Sequence, residues 1–444
     1  MKRTLAITLA AALVLLGHVP ADAADDARWT GSTDQKIWGL MTVWAEVKYT
    51  FPHFDRMPGF DWDRTVQDYI PRVIAAEDID AYYAVLSELV ALLNDGHTDV
   101  LPPWGYLKPG YDMAPIEVRV LDDRFFVDRV GERAELADQG IRPGVEILQV
   151  EGVPVGRYFE QNVLRFHTES TPQGNESLYI AYLTYGPAGS RLALGVQDPN
   201  TDTVREVRVT RDAMSGEPPF MTRMLANAFA GPTIRSRRLR GGVQYVEIPN
   251  FEHPQASEDF AALIDSLDGD TTRGMIIDLR YNMGGTSAVV APMVACLIDE
   301  PVTTPVSKFR HFVGAREAWG LAPTWETTHG RIEPRDGKRY AGPLIVLTGG
   351  LTGSSAEDFA IELRTADRAT LVGQTTRGSA GNALVSSLPG GGSLRVATFT
   401  ALLPDGREYV GSGVEPDVAV RPTRDDLAAG RDVVLERAVA LLTD

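Results

Sequence analysis

Apolar positions recur at helical spacing through the first part of the chain. Ile37, Leu40, Met41, Trp44 and Val47 fall on one face of a helix, and residues 32–95 read as helical. A second helix starts near Asp78 or Asp80 and turns Tyr82, Val85, Leu86, Leu89 and Leu93 inward. Asn94-Asp95-Gly96 has the composition of a helix end, and His97 stands directly beyond it. The rhythm then changes. Ile116–Leu121 and Arg124–Val130 alternate as strands around an Asp-Asp turn, and a short helix leads through Gly140-Ile141 and Pro143-Gly144 into a strand Glu146–Val150. Glu151-Gly152 makes the next turn, and Arg191–Val196 with Val204–Thr210 close a small, mostly β segment over 109–213.

From about residue 231 strands and helices alternate. Val243–Ile248 is a strand, Ser257–Leu267 a helix, and Gly274–Leu279 a buried strand ending in Tyr281-Asn282-Met283-Gly284-Gly285 and a helix to about Ile298. Pro343–Thr348 is a further buried strand, Gly349-Gly350 break it, and Ala356, Phe359, Ala360 and Leu363 define the following helix. Ala369–Gly373 is another strand, and PGGGS at 389–393 is a hairpin loop. This alternation predicts a mixed α/β core with a partly parallel sheet. Trp38, Trp44 and Trp62 are expected in the helical core.

Composition narrows the function. The 444 residues suffice for two or three domains, and the 44% hydrophobic and 23% charged content is that of a globular chain. A net charge of −17 argues against a nucleic-acid partner. Lys2 and Arg3, the apolar run Leu5–Leu16 and Ala21-Asp22-Ala23 have the form of an export signal cleaved near residue 23. The expected location is therefore periplasmic or secreted, with no membrane-spanning segment after cleavage. The lone cysteine, Cys296, sits in an apolar run and reads as a small buried hydrophobe. The seven histidines form no ligand-like pair, so neither a metal nor another cofactor is expected.

The segment PLIVLTGGLTGSSAEDFAIELRT (343–365) carries the sharpest chemical suggestion. A serine where a strand turns into a helix places its hydroxyl at unpaired N–H groups that favour developing negative charge. The alternative is that Ser354 or Ser355 caps the helix, with Glu357 completing a capping box.

Four motifs together resemble the tail-specific, or C-terminal processing, serine peptidases, in the branch related to tricorn cores and interphotoreceptor retinoid-binding protein modules. They are LLNDGHTDV (92–100), GIRPGVEILQVEGVPV (140–155), GMIIDLRYNMGG (274–285) and TGSSAEDFA with LVGQTTRG (371–378). The resemblance implies a ClpP/crotonase-like protease core over 214–444, an N-terminal helical region over 24–108 and an inserted PDZ-like domain over 109–213. It implies Ser354 as nucleophile, with Ser355 the second choice. The lysine of the dyad branch falls on Ser379, and Arg377 stays protonated, so neither is the base. The resemblance points instead to His97, whose ordinary pKa suits proton transfer. The orienting glutamate of that branch falls on Val410, which leaves Glu408 as a stand-in, or else water or a backbone carbonyl. Gly284, Gly285 and the N–H of Ser355 are the implied oxyanion donors. Asn282 and Arg280 read as structural. A PDZ-like nest for a substrate's terminal carboxylate is expected at Gly110, Tyr111, Asp112 and Met113. The implied activity is exported serine endopeptidase action on protein or peptide substrates. The alternative is an inactive peptide- or lipophile-binding scaffold of the same fold.

Overall fold

The computed structural model describes residues 29–199, 201–213, 231–267 and 272–443. The export signal and the stretch 214–230, where the second domain boundary is expected, lie outside the described residues. No helix among the described residues is long and apolar enough to cross a membrane.

The central sheet has six strands in the order 235–238, 243–247, 274–278, 344–348, 370–373 and 418–419. The first pairs antiparallel; the others run parallel in chain order. The strands at 274–278 and 344–348 are buried along their whole length, because a parallel sheet covered on both faces has no polar side. Met275, Ile277 and Val346 face the helices Gln255–Ser266, Ser287–Ala295 and Ser355–Thr365. Ile276, Ile345 and Leu347 face the C-terminal helix Val433–Thr443 through Val434 and Ala438. The chain is a mixed α/β protein, as the alternation predicts.

The β segment forms one antiparallel sheet from the five strands read in the sequence, with Val153–Pro154 pairing at one side. Asp122 and Asp123 both take positive φ, the conformation that fits a two-residue turn to the twist of its strands. Its own core gathers Val118, Val127, Ile147, Leu194 and Val207.

Among the described residues the N-terminal region holds three α-helices: Thr33–Thr50, Trp62–Ala75 and Ile79–Ala91. The middle one, which contains Pro71, was not distinguished in the sequence. Buried Lys36 donates to the carbonyls of Ile74 and Ala76 at its C-terminal end, where such carbonyls lack helical partners. Trp62 is buried and Trp44 bonds Asp63, but Trp38 is 68% exposed. The expectation for Trp38 is therefore corrected: it lies off the Leu40, Val43, Val47 stripe that meets the core. These helices share that core with Val100, Leu388, Leu394 and Val396, residues from both ends of the chain. Strand Asp99–Leu101 pairs antiparallel with Gly392–Val396, in the register Asp99 to Arg395 and Val100 to Leu394. The hairpin Leu384–Leu388/Gly392–Val396 turns at the glycine run. An excursion at 306–328, whose strands pair with one another and with Phe399–Leu402, has no counterpart in the sequence reading.

The helix Ser355–Thr365 is buried around its acidic side as well as its apolar side. Tyr409 donates to Asp358, and Glu362 keeps a buried Oε2 with no partner among the described residues. Burial, reinforced by the Asp358 charge, pushes the Glu362 carboxyl up to about 9. The native state therefore holds a proton that the unfolded chain releases above its ordinary pKa, and stability is lost as pH rises toward 9. Glu362→Gln needs no such proton. Thermal melts from pH 5 to 9 should show a gap in favour of Glu362→Gln that widens with pH.

Candidate active site

Ser354 stands between the strand Leu344–Thr348 and the helix Ser355–Thr365, at φ 52° and ψ −126°. A non-glycine residue there is strained, at about 1–3 kcal/mol, and persists only where its surroundings over-determine it. They do so here. Ser354 N–H donates to the Ser379 carbonyl at 2.9 Å and to Glu357 Oε2 at 3.0 Å. The Glu357 carboxylate also accepts from the N–H groups of Gly378 and Ser379 and from the Thr376 hydroxyl. One anion thus ties the serine turn to the 376–379 loop. Burial pushes Glu357 up to about 7 against those four hydrogen bonds, which favour the charged form. The turn is secured behind the serine by Thr352 Oγ1 on the Leu279 carbonyl and by Gly353 N–H on the Asn282 carbonyl.

His97 lies in the loop between the helix Ile79–Ala91 and the strand Asp99–Leu101. Asp95 accepts from Thr98 Oγ1 at 2.6 Å and from Ser170 Oγ at 3.1 Å, and Gly96 N–H donates to the same Ser170 hydroxyl. Across from them, His97 Nδ1 is 2.8 Å from Ser379 Oγ. Burial, then Arg395, Arg377 and His53, holds the imidazole well below its ordinary pKa, so at neutral pH it is the uncharged base. Ser379 thus meets both chemical groups: its carbonyl holds the Ser354 backbone and its hydroxyl holds the His97 ring. No hydrogen bond joins Ser354 Oγ to His97 in this structure. Ser379 is the functional candidate that sequence reasoning passed over as a missing lysine.

The remaining expected residues divide. Gly284 packs on the serine turn so closely that a Cβ there would lie 2.8 Å from Ser354 Cβ, and its φ is +112°. Its N–H, however, is donated to Asn282 Oδ1 at 2.9 Å, while Asn282 Nδ2 holds the Ile248 carbonyl. Asn282 is structural, as expected, and so is Arg280, which pairs with Asp278 and Asp432. The N–H groups of Gly285 and Ser355 make no hydrogen bond to a described residue. Glu408 is not brought to His97: it pairs with Arg56 and accepts from Thr400. Val410 is buried in the main core. Gly110 precedes the two-residue strand Tyr111–Asp112, which pairs with Gly186–Pro187, and Met113 N–H is donated to Asp112 Oδ1. The next donor, Ala114 N–H, goes to Thr184. Cys296 is buried, and burial raises its thiol pKa. Among the described residues no cluster of three or more His, Cys, Asp or Glu could hold a metal.

A turn that strains a serine at a helix start, beside a neutral imidazole and unspent N–H donors, is the equipment of a serine hydrolase acting on acyl groups. Comparison with known proteins specifies the class. Residues 242–420 match Peptidase family S41. A carboxyl-terminal-processing protease of Picosynechococcus is 24% identical over 399 residues, covering 86% of this chain and 82% of that one. The chloroplastic carboxyl-terminal-processing peptidase 3 of Arabidopsis thaliana is 24% identical over 396 residues, covering 85% and 68%. In fold, mature CPAF superposes with a TM-score of 0.71 at 19% identity over 93% of this chain and 98% of its own. The photosystem II D1 C-terminal processing protease superposes with 0.51 at 17% over 92% and 97%. The chain is a serine peptidase. Its residues 242–420 match the model of Peptidase family S41, and the relatives it resembles along most of its length are C-terminal processing proteases.

Gly284→Ala tests the serine turn. The added methyl has no room beside Ser354 Cβ and meets an unfavourable φ, so kcat should fall by about 100-fold or more in steady-state assays. Thermal melting should drop with it.

Proposed function

We propose that this chain is an exported serine endopeptidase in which Ser354 attacks the scissile carbonyl and His97 is the general base. His97 Nδ1–H donates to Ser379 Oγ, which leaves Nε2 as the nitrogen that takes the Ser354 proton. The hydrogen bond between them forms as substrate closes the site, in line with the loose catalytic contacts of free enzymes. The tetrahedral oxyanion is received by the N–H groups of Gly285 and Ser355. Gly284, with its own N–H spent on Asn282, shapes the hole instead. Collapse of the intermediate passes the proton from His97 to the leaving amine, and water then releases the acyl group by the reverse sequence.

The observation that carries this reading is the double role of Ser379, holding Ser354 N–H on its carbonyl and His97 Nδ1 on its hydroxyl. Ser379 rather than Glu408 is the orienter in this scheme. The β domain acts as a PDZ-like reader of substrate tails on a crotonase-like core. A tail carboxylate docking at residues 110–113 has to displace the Asp112 carboxylate from Met113 N–H. Recognition there is therefore a competition between two carboxylates for one donor.

A fluorophosphonate probe followed by peptide mapping should label Ser354 and no other residue. Ser354→Ala and His97→Ala should each lower kcat on labelled casein by about 1,000-fold or more with melting unchanged. Full turnover in Ser354→Ala, or a label on another serine in folded protein, would refute the assignment.

A further inference from the structure

Ser379 Oγ can orient His97 only if its own proton has somewhere to go. A hydroxyl that accepts from an imidazole N–H is most effective when it donates in turn to an anion, because each bond polarises the next. Of the carboxylates near the site or expected there, most are already committed. Asp95 serves Thr98 and Ser170, Glu357 serves four donors, and Glu408 serves Arg56 and Thr400. Asp99 meets Tyr106 and Arg395 through Oδ2, while its Oδ1 bonds to no described residue and no contact ties it to Ser379.

Glu169 is different. It is buried, comes from the inserted β domain's side of the chain, and is gripped by Arg377 through Nε on Oε2 at 2.8 Å and Nη2 on Oε1. Ser177 Oγ divides its one proton between Oε1, at 3.1 Å, and the Gly174 carbonyl, at 2.9 Å. A carboxylate oxygen offers about two acceptor positions, and Arg377 Nε takes one of those on Oε2, leaving the other. Oε2 is also the oxygen that faces the relay. A Cβ placed on Gly96 would lie 2.7 Å from Ser379 Oγ and closer still to Glu169 Oε2. The two oxygens are thus no farther apart than twice that distance, a span that one water bridges. Glycine at 96 is what lets both stand there, and this gives the Asp95-Gly96-His97 run a physical reason.

We infer that Glu169 is a positioning residue for catalysis, the anionic end of a chain Ser354, His97, Ser379, Glu169 supplied by the inserted domain. Arg377 fixes the carboxylate, while Thr171 Oγ1 on the Arg377 carbonyl and Gln173 Nε2 on the Thr376 and Ser412 carbonyls hold the same segment against the 376–379 loop. Proper seating of the inserted domain and competence of the base are then one condition. The inference rests on the reading of Ser354 and His97 given above.

The test is a double-mutant cycle on labelled casein. Glu169→Gln should lower kcat between roughly 3- and 100-fold with KM changed less than about twofold. Introduced into Ser379→Ala, it should add no further loss, because its action passes through the hydroxyl. If the losses multiply, or if Glu169→Gln keeps full kcat, the inference is overturned. Should Glu169→Gln fail to fold with Arg377 unpaired, Glu169→Gln/Arg377→Gln decides by the same two criteria. Ser354→Ala run alongside separates the levels. Turnover in Ser354→Ala overturns the catalytic reading and this inference with it, whereas an inert Ser354→Ala beside an unchanged Glu169→Gln overturns the inference alone.

Discussion

A ladder of three residue pairs, Asp99–Leu101 against Ser393–Arg395, decides where everything else in the site can be. It clamps the end of the N-terminal helical region onto a hairpin that begins 19 positions after the serine helix ends, at Leu384 against Thr365. The apolar side chains beneath the ladder, Val100 and Leu394, are buried with Leu86, Leu89 and Val396, so the register is fixed by the hydrophobic side as well as by backbone bonds. Slipping it by one residue would turn Val100 out of the core. Arg395 reinforces the register by meeting Tyr106 and Asp99 on the other side. His97, two residues before the ladder begins, has no freedom left to be anywhere but over Ser379.

The second constraint is electrostatic. Glu357 is an internal anion that gathers N–H groups from two segments that no regular secondary structure pairs. Burial disfavours its charge and the donors restore it, so its carboxyl sits at about 7 rather than at either extreme. The strained φ of Ser354 depends on this balance. The turn resembles a nucleophile elbow in its logic: backbone strain holds the hydroxyl off the helix axis, and hydrogen bonds made elsewhere offset the cost.

Much of the architecture was legible because it rests on periodicity. The uninterrupted apolar runs at 274–278 and 344–348 could only be buried strands once helices were seen between them, and Asp122-Asp123 marked a tight turn on its own. The helix Trp62–Ala75 was harder, since Pro71 interrupts its pattern, and Trp38 misled because an aromatic residue beside an apolar stripe looks like part of it. In the site, Ser354 and His97 were suggested by motif. Ser379 was not, because a serine in place of an expected lysine reads as a loss. Its value lies in a hydroxyl and a carbonyl that face two different partners, and that is a fact of three dimensions. Glu408 failed for a local reason: Arg56, an N-terminal residue with no motif of its own, arrives to claim it.

Where Ser379 stands in place of a lysine and His97 is the proposed base, the surroundings have a different task. A lysine base has to be kept neutral against a pKa far above 7, whereas an imidazole is already near neutrality and needs help in the opposite direction once it accepts a proton. Burial, then Arg395 and Arg377, opposes that proton at rest and keeps His97 uncharged. The cost appears when the imidazolium forms. In the proposed mechanism the oxyanion supplies one compensating charge, and Glu169, paired with Arg377, makes that guanidinium half of a neutral pair rather than a bare cation. A proposed base kept uncharged by burial, with both neighbouring guanidiniums already paired to carboxylates, is the consistent solution for a site flanked by arginines.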